Sequence, residues 1–278
     1  MGTPAVQRLG QGLAGAVLGA VAARASYGLF TRFAAGSDGL ARKWERLNFR
    51  GRTVTLREGP ALAAGMCVAG MFVPGLGPRT RAAAALAAAG AAGFGAYDDL
   101  SGNGQERGLR GHLGALARGR ITTGLVKMVG ISGTGLAAAA LLRRGPVDTL
   151  MDGALIAAGA NLVNLFDLRP GRATKFVLLT AVPALFSPAA PLLGPVVGAS
   201  VALLPDELAE RSMLGDAGAN ALGAALGVAA VARAERPARA VLLGGVLALT
   251  LAGERTSFSR VIDRVPPLRG LDRWGRCA

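Results

Sequence analysis

Asn161, Asn164 and Asp167 recur at every third position at the end of an apolar run that begins near Met151. A basic stretch with Arg169, Arg172 and Lys175 follows before the sequence turns apolar again at Phe176. In a helix, that spacing aligns two amides and a carboxylate along one side. Polar groups set into hydrophobic sequence are costly and usually mark a site. Two other acidic motifs share this character: Asp98 and Asp99 close a run rich in alanine and glycine, and Asp216 opens another within Leu214-Gly-Asp-Ala-Gly-Ala-Asn220. Adjacent acids at a helix C-terminus oppose the macrodipole and call for positive charge nearby. Their bland reading is a helix end in the headgroup region. Asp216 reads either as an N-cap or as a carboxylate beside a phosphate-binding helix N-terminus, with Gly218 permitting close backbone approach.

Together Asp98, Asp99, Asp167 and Asp216 supply hard oxygen donors of the kind that hold Mg2+ in company with substrate phosphates. Arg172 and Lys175 suit the remaining phosphate oxygens. Lys127, a turn and a half into an apolar run, reads either as an interfacial lysine or as a cation that snorkels to a phosphate. His112, the single histidine, reads as a solvated loop residue. Gly102-Asn-Gly104 is no phosphate loop, because no strand precedes it.

The elements that must position these groups are membrane helices. Of 278 residues 51% are hydrophobic and only 17% are charged, with 42 glycines. Apolar runs of roughly 17–22 residues recur, the length that crosses a bilayer, and small residues let such helices pack closely. The expected architecture is an all-α, polytopic membrane helix bundle forming one domain over residues 1–278. It has about nine (nine to ten) transmembrane helices, near 10–30, 60–77, 80–97, 122–142, 149–166, 174–187, 189–204, 216–232 and 238–253.

The formal charge of +14 is spread between the apolar runs rather than gathered in one aromatic-studded patch, which argues against nucleic acid. Two cysteines are too few for a disulfide or metal framework. The loops after the first, third, fifth and seventh runs, with the C-terminal tail, carry well over twice the Lys and Arg of the opposite set. By the positive-inside rule they are cytoplasmic, with the N-terminus outside and the C-terminus inside. Every acidic motif above falls on that side.

The motifs in order resemble those of the polyprenyl-phosphate sugar-1-phosphate transferases. That membrane superfamily includes phospho-N-acetylmuramoyl-pentapeptide transferase and the N-acetylglucosamine-1-phosphate transferases. Gly95-Ala-Tyr-Asp98-Asp99 is similar to the family's Asp-Asp motif, and Asn161-x-x-Asn164-x-x-Asp167 to its Asn-x-x-Asn-x-x-Asp-Gly motif. Met213-Leu-Gly215-Asp216-Ala-Gly218 is similar to its Gly-Asp-x-Gly-Ser motif. The resemblance covers roughly residues 40–275 and implies a Mg2+-dependent enzyme of a bacterial plasma membrane with a cytoplasmic active face.

Such an enzyme transfers a sugar-1-phosphate from a UDP-sugar to polyprenyl phosphate for envelope polymer synthesis. Its partners would be those two substrates and the lipid bilayer, with a homodimer as a further expectation. By resemblance Asp216 is the metal ligand with Asp167 beside it, Asp98 the base or lipid-phosphate positioner, and Asp99 its partner. Asn161, Asn164, Lys127, Arg172, Lys175 and Gly218 would then bind substrate. The chain departs from the family at Leu168-Arg-Pro-Gly-Arg172, where Gly-Leu-Asp-Gly is usual, and at Ala219 in place of serine. The histidine-rich loop is missing, and the tail offers Ser257-Phe-Ser-Arg260 and further arginines instead. These departures motivate a second expectation: an envelope scaffold or regulator on the same fold that binds lipid phosphate without turnover.

Overall fold

The computed structural model describes residues 4–36, 38–102 and 108–277. Asn103 and Gly104 of the glycine-rich stretch lie outside them. The described residues are mostly helical, with one short hairpin. In order it forms α1 (Ala5–Ala35), α2 (Asp38–Lys43), a hairpin of β1 (Glu45–Leu47) and β2 (Thr53–Thr55), α3 (Glu58–Phe72) and α4 (Pro78–Ser101). Then come α5 (Gly108–Ala117), α6 (Thr123–Leu141), α7 (Pro146–Phe166), α8 (Arg172–Ala181), a 3-10 turn (Pro183–Phe186) and α9 (Ala190–Leu208). The chain finishes with α10 (Gly215–Arg233), α11 (Arg236–Arg255), α12 (Phe258–Arg264) and α13 (Pro266–Arg273).

Local sequence explains where the helices begin. Proline stands in the first turn of α4, α7 and α11, where its missing N–H costs nothing. The Thr122 side chain caps α6 by accepting from the Leu125 amide at 3.1 Å. In the hairpin, Glu45 pairs with Thr55 and Leu47 with Thr53. Its turn is closed by the Asn48 side-chain oxygen, which accepts from the amides of Arg50 and Arg52.

Among the described residues six helices are long and apolar enough to cross a membrane: α1, α6, α7, α9, α10 and α11. α3, with 15 residues, is apolar but shorter. The stretch 174–187 departs from expectation. It forms the ten-residue α8 and a short 3-10 turn rather than one continuous helix. Ten residues rise only about 15 Å, half the hydrocarbon thickness. Two features account for this: Pro183 heads the 3-10 turn, and α8 opens on buried Arg172 and Lys175.

α9 and α10 are mostly buried within the bundle, while α1 and α11 leave most of their surface exposed. α10 packs on α3, α4, α7 and α9, so it is the centre of the fold. The exposed Val17, Val21, Phe33, Val241, Leu247 and Leu251 lie on α1 and α11, as expected for helices facing acyl chains.

Close packing rests on small residues. α1 meets α9 along Gly12, Gly15 and Gly19, and a Cβ at Gly198 would overlap the Ala16 carbonyl oxygen. Gly198→Leu is therefore expected to cost about 1–3 kcal/mol or more through overpacking, read as a lowered thermal midpoint in detergent. Gly28→Leu, where nothing stands within 4 Å, serves as the tolerated control. Equal midpoints would contradict this packing.

Candidate active site

The acidic motifs arrive at one end of the bundle by different routes. Asp98 and Asp99 lie in the last turn of α4, and Lys127 lies early in α6. Asp167 sits at the C-cap of α7, where the backbone has left helical geometry (φ −79°, ψ 55°). Asp216 lies in the first turn of α10. Backbone contact makes the convergence possible: a Cβ at Gly95 would overlap the Asp216 carbonyl oxygen and lie 2.7 Å from the Ala217 Cα. α4 thus runs directly against the start of α10.

The two adjacent aspartates divide their work. Asp99 accepts the Asp216 and Ala217 amides at 3.1 and 2.9 Å, capping α10 from a different helix. The cap expected of Asp216 therefore comes from Asp99. Gly215 makes this approach possible, since its φ of +63° is left-handed and a Cβ there would lie 3.0 Å from Asp99 Oδ2. Asp98 and Asp216 share a cation instead. Lys127 Nζ stands 2.6 Å from Asp98 Oδ2 and 2.5 Å from Asp216 Oδ2. The compensation that Asp98-Asp99 requires is thus one ammonium and one helix N-terminus.

Asp167 lies close enough to this group to feel the carboxylates of Asp216 and Asp99. Burial, and after it the carboxylates of Glu207, Asp216 and Asp99, push the Asp167 carboxyl well above the usual range. Glu207 is fully buried and accepts from the Gly171 amide at 2.9 Å and Thr174 Oγ1 at 2.8 Å. A cavity of about 720 Å³ opens beside Asp167, lined also by Asn48, Phe49, Arg169, Glu207 and Glu210. It is large enough for a small-molecule substrate. Asp98, Lys127 and Asp216 do not line it, so Asp167 is the link between cavity and triad.

Asn161 and Asn164 are half-buried on α7, and their side-chain amides make no hydrogen bond with another described residue. Gly218 is used for packing: a Cβ there would overlap Leu214 and lie 2.8 Å from the Gly59 Cα. Arg172 and Lys175 hold the tail. Arg172 grips Asp272 through Nε at 2.7 Å and a second nitrogen at 3.0 Å. Lys175 Nζ donates to the carbonyls of Leu271, Asp272 and Trp274. His112 is not a free loop residue, since its Nδ1 lies 2.8 Å from Thr122 Oγ1.

Sequence reasoning missed several polar groups here. Glu58 bonds Ser212 in the buried core beneath the hairpin, and Arg46 donates to the Asp99 carbonyl. Asp206-Glu207 closes an apolar run as Asp98-Asp99 does, a signal that could have found both. Asp206 pairs with Arg24, which accounts for an arginine inside the first apolar run.

The donor set is compatible with Mg2+ in a restricted sense. Among the described residues no three acidic, histidine or cysteine side chains form a ready-made metal cage. Mg2+ in phosphate chemistry is held by one or two carboxylates, water and the phosphates themselves. Asp216 Oδ1 and Asp167 fit that smaller demand, whereas Asp99 is committed to the α10 amides.

Around Asp272, burial alone would raise the carboxyl, but Arg172 and Arg276 outweigh it and hold it below its usual range. A depressed carboxylate contributes stability above its unfolded value of about 3.9 that is lost as pH falls through the folded value. The tail is expected to stay docked at about pH 5 and to loosen as pH drops below about 3.9. Hydrogen exchange over residues 258–277 reads this. Asp272→Asn should expose those amides already at neutral pH, and unchanged protection in that variant would contradict the clasp.

No protein-family model and no characterised protein matches this chain.

Proposed function

We propose that this protein transfers a sugar-1-phosphate from a UDP-sugar to polyprenyl phosphate at the cytoplasmic face of a bacterial plasma membrane. The observation that carries the reading is the convergence of four aspartates from three separate motifs on one end of the bundle, three of them around Lys127 and the α10 N-terminus and the fourth, Asp167, lining a substrate-sized cavity. The second support is the resemblance of those same three motifs, in order, to the transferase family.

In this reaction a lipid phosphate oxygen attacks the β-phosphorus of the UDP-sugar. The bond from that phosphorus to the α,β-bridging oxygen breaks, and UMP leaves with that oxygen. One diphosphate replaces another, so catalysis is chiefly positioning and neutralisation of two anions. Lys127 lies between Asp98 and Asp216 and can transfer its hydrogen bonds to a phosphate oxygen as substrate enters. Asp98, released from Lys127, positions the attacking lipid phosphate. Asp99 acts through structure by holding the α10 N-terminus, whose Asp216 and Ala217 amides it occupies. Asn161 and Asn164 offer free amides to the donor. Mg2+, held by Asp216 with Asp167, would supply further neutralisation of the diphosphate.

The topology proposed has about nine crossings, with α3, α4 and the broken segment made of α8 and the 3-10 turn completing the six apolar helices. Alternation of the helices supports it. The C-terminal ends of α4, α7 and α9, with Arg24 in the second half of α1, share one end with the N-terminal ends of α3, α6 and α10. With the basic loops inside, the N-terminus is outside and the C-terminus cytoplasmic.

A second reading, a scaffold that binds lipid phosphate without turnover, draws on the Lys127 ion triad, in which one ammonium already engages both Asp98 and Asp216 without a ligand. The distinguishing experiment supplies purified protein with polyprenyl phosphate, Mg2+ and labelled UDP-sugars and follows label into the lipid fraction. A lipid diphosphate sugar supports the enzyme; lipid bound but never converted supports the scaffold.

A further inference from the structure

A second cavity, of about 420 Å³, lies between the hairpin turn, the loop after Asp167 and the C-terminal segment. Its wall carries five guanidiniums, Arg50, Arg169, Arg172, Arg273 and Arg276, against the carboxylates of Asp263 and Asp272. Asp272 is consumed internally, bridging Arg172 and Arg276. Those two arginines are almost fully buried and so form a fixed floor. Arg50 is turned partly to Glu210 at 3.2 Å. Arg169 stacks over the Phe49 ring with its guanidinium carbon 4.4 Å from the centroid, leaving donors free beyond one bond to the Leu168 carbonyl. Arg273 is exposed and has no partner among the described residues.

We infer that this arginine-lined cavity is a binding site for a phosphate-bearing anion, separate from the aspartate cluster. Positive charge in excess, held on a packed floor, is costly to the folded chain unless an anion uses it. Planar guanidiniums approaching from several directions suit the tetrahedral oxygens of a phosphate group. The cavity shares Phe49 and Arg169 with the larger one beside Asp167, so a ligand filling both would place its anionic end among the arginines. The inference concerns binding alone and stands whether or not the transferase reading does. The phosphate could belong to a soluble molecule or to a lipid headgroup, and the test has an arm for each.

The first arm measures inorganic pyrophosphate binding to the purified full chain in detergent by calorimetry. EDTA is included so that Mg2+-dependent binding at the aspartates contributes nothing. Arg169→Ala and Arg273→Ala are expected to weaken binding roughly ten-fold each, and Arg264→Ala, outside the cavity, to leave it unchanged. The second arm counts phosphatidic acid and phosphatidylcholine molecules retained in native mass spectra of the same variants. Loss of pyrophosphate binding with unchanged lipid retention identifies a soluble ligand. Selective loss of phosphatidic acid identifies a headgroup. If wild type binds neither probe, or if Arg169→Ala and Arg273→Ala bind both as wild type does, the inference is overturned. Near-identical thermal midpoints for the variants keep misfolding from imitating the expected result.

Discussion

Asp216→Asn is expected to lower turnover by about 10³-fold or more while the protein still folds and inserts. Asparagine keeps the shape of the side chain and removes its charge. The group lost faces Lys127 at 2.5 Å and is the carboxylate best placed for a cation bound with substrate. Survival of the fold follows from Asp99. The free amides at the start of α10 are capped by that residue, so neutralising Asp216 leaves the helix terminus satisfied. UMP release measured beside the detergent melting profile separates the two effects. Activity within about 3-fold of wild type would remove Asp216 from the chemistry, and a collapsed midpoint would make it a structural group instead.

The largest stability effect is expected far from the site, at Arg239. This arginine at the start of α11 is buried against Asp152 of α7, whose side chain is entirely inaccessible. Arg239 also reaches Asp148 at 3.3 Å, while Arg144 stands 3.7 Å from the other Asp152 oxygen. Removing Arg239 leaves the buried Asp152 carboxylate facing Arg144 at 3.7 Å, beyond hydrogen-bond reach, and the cost of breaking such a buried pair is about 3–5 kcal/mol. Replacing both partners with apolar residues, as in Arg239→Met with Asp152→Leu, is expected to cost clearly less than Arg239→Ala alone. Denaturation of the single and double variants in mixed micelles checks this. Equal losses would show that the pair contributes no coupling.

The class of fold was legible because composition and run length are dominated by the bilayer, and the six long apolar helices follow from it. The end of α7 was legible for the same reason, since Asn161, Asn164 and Asp167 are polar where an apolar helix should finish. What the sequence could not disclose was who satisfies whom. Asp98 and Asp99 are neighbours in the chain and identical in type, yet one pairs with an ammonium and the other caps a helix, a division fixed by the crossing of α4 on α10. Gly218 carried the signature of backbone approach to a ligand, and the approaching backbone is that of α3. Arg172 and Lys175 stood in the right loop for substrate, but the tail's Asp272 and free carbonyls lie nearer. Local sequence sets donors and acceptors out; tertiary packing chooses among partners that are distant in the chain.

The most direct test of the central claim is UMP release by wild-type protein in detergent, given Mg2+, polyprenyl phosphate and a panel of UDP-sugars. The account predicts release with at least one donor, dependent on the lipid phosphate and abolished by EDTA. Absence of release with every donor, from protein shown to bind the lipid phosphate, would contradict it and leave the binding role in its place.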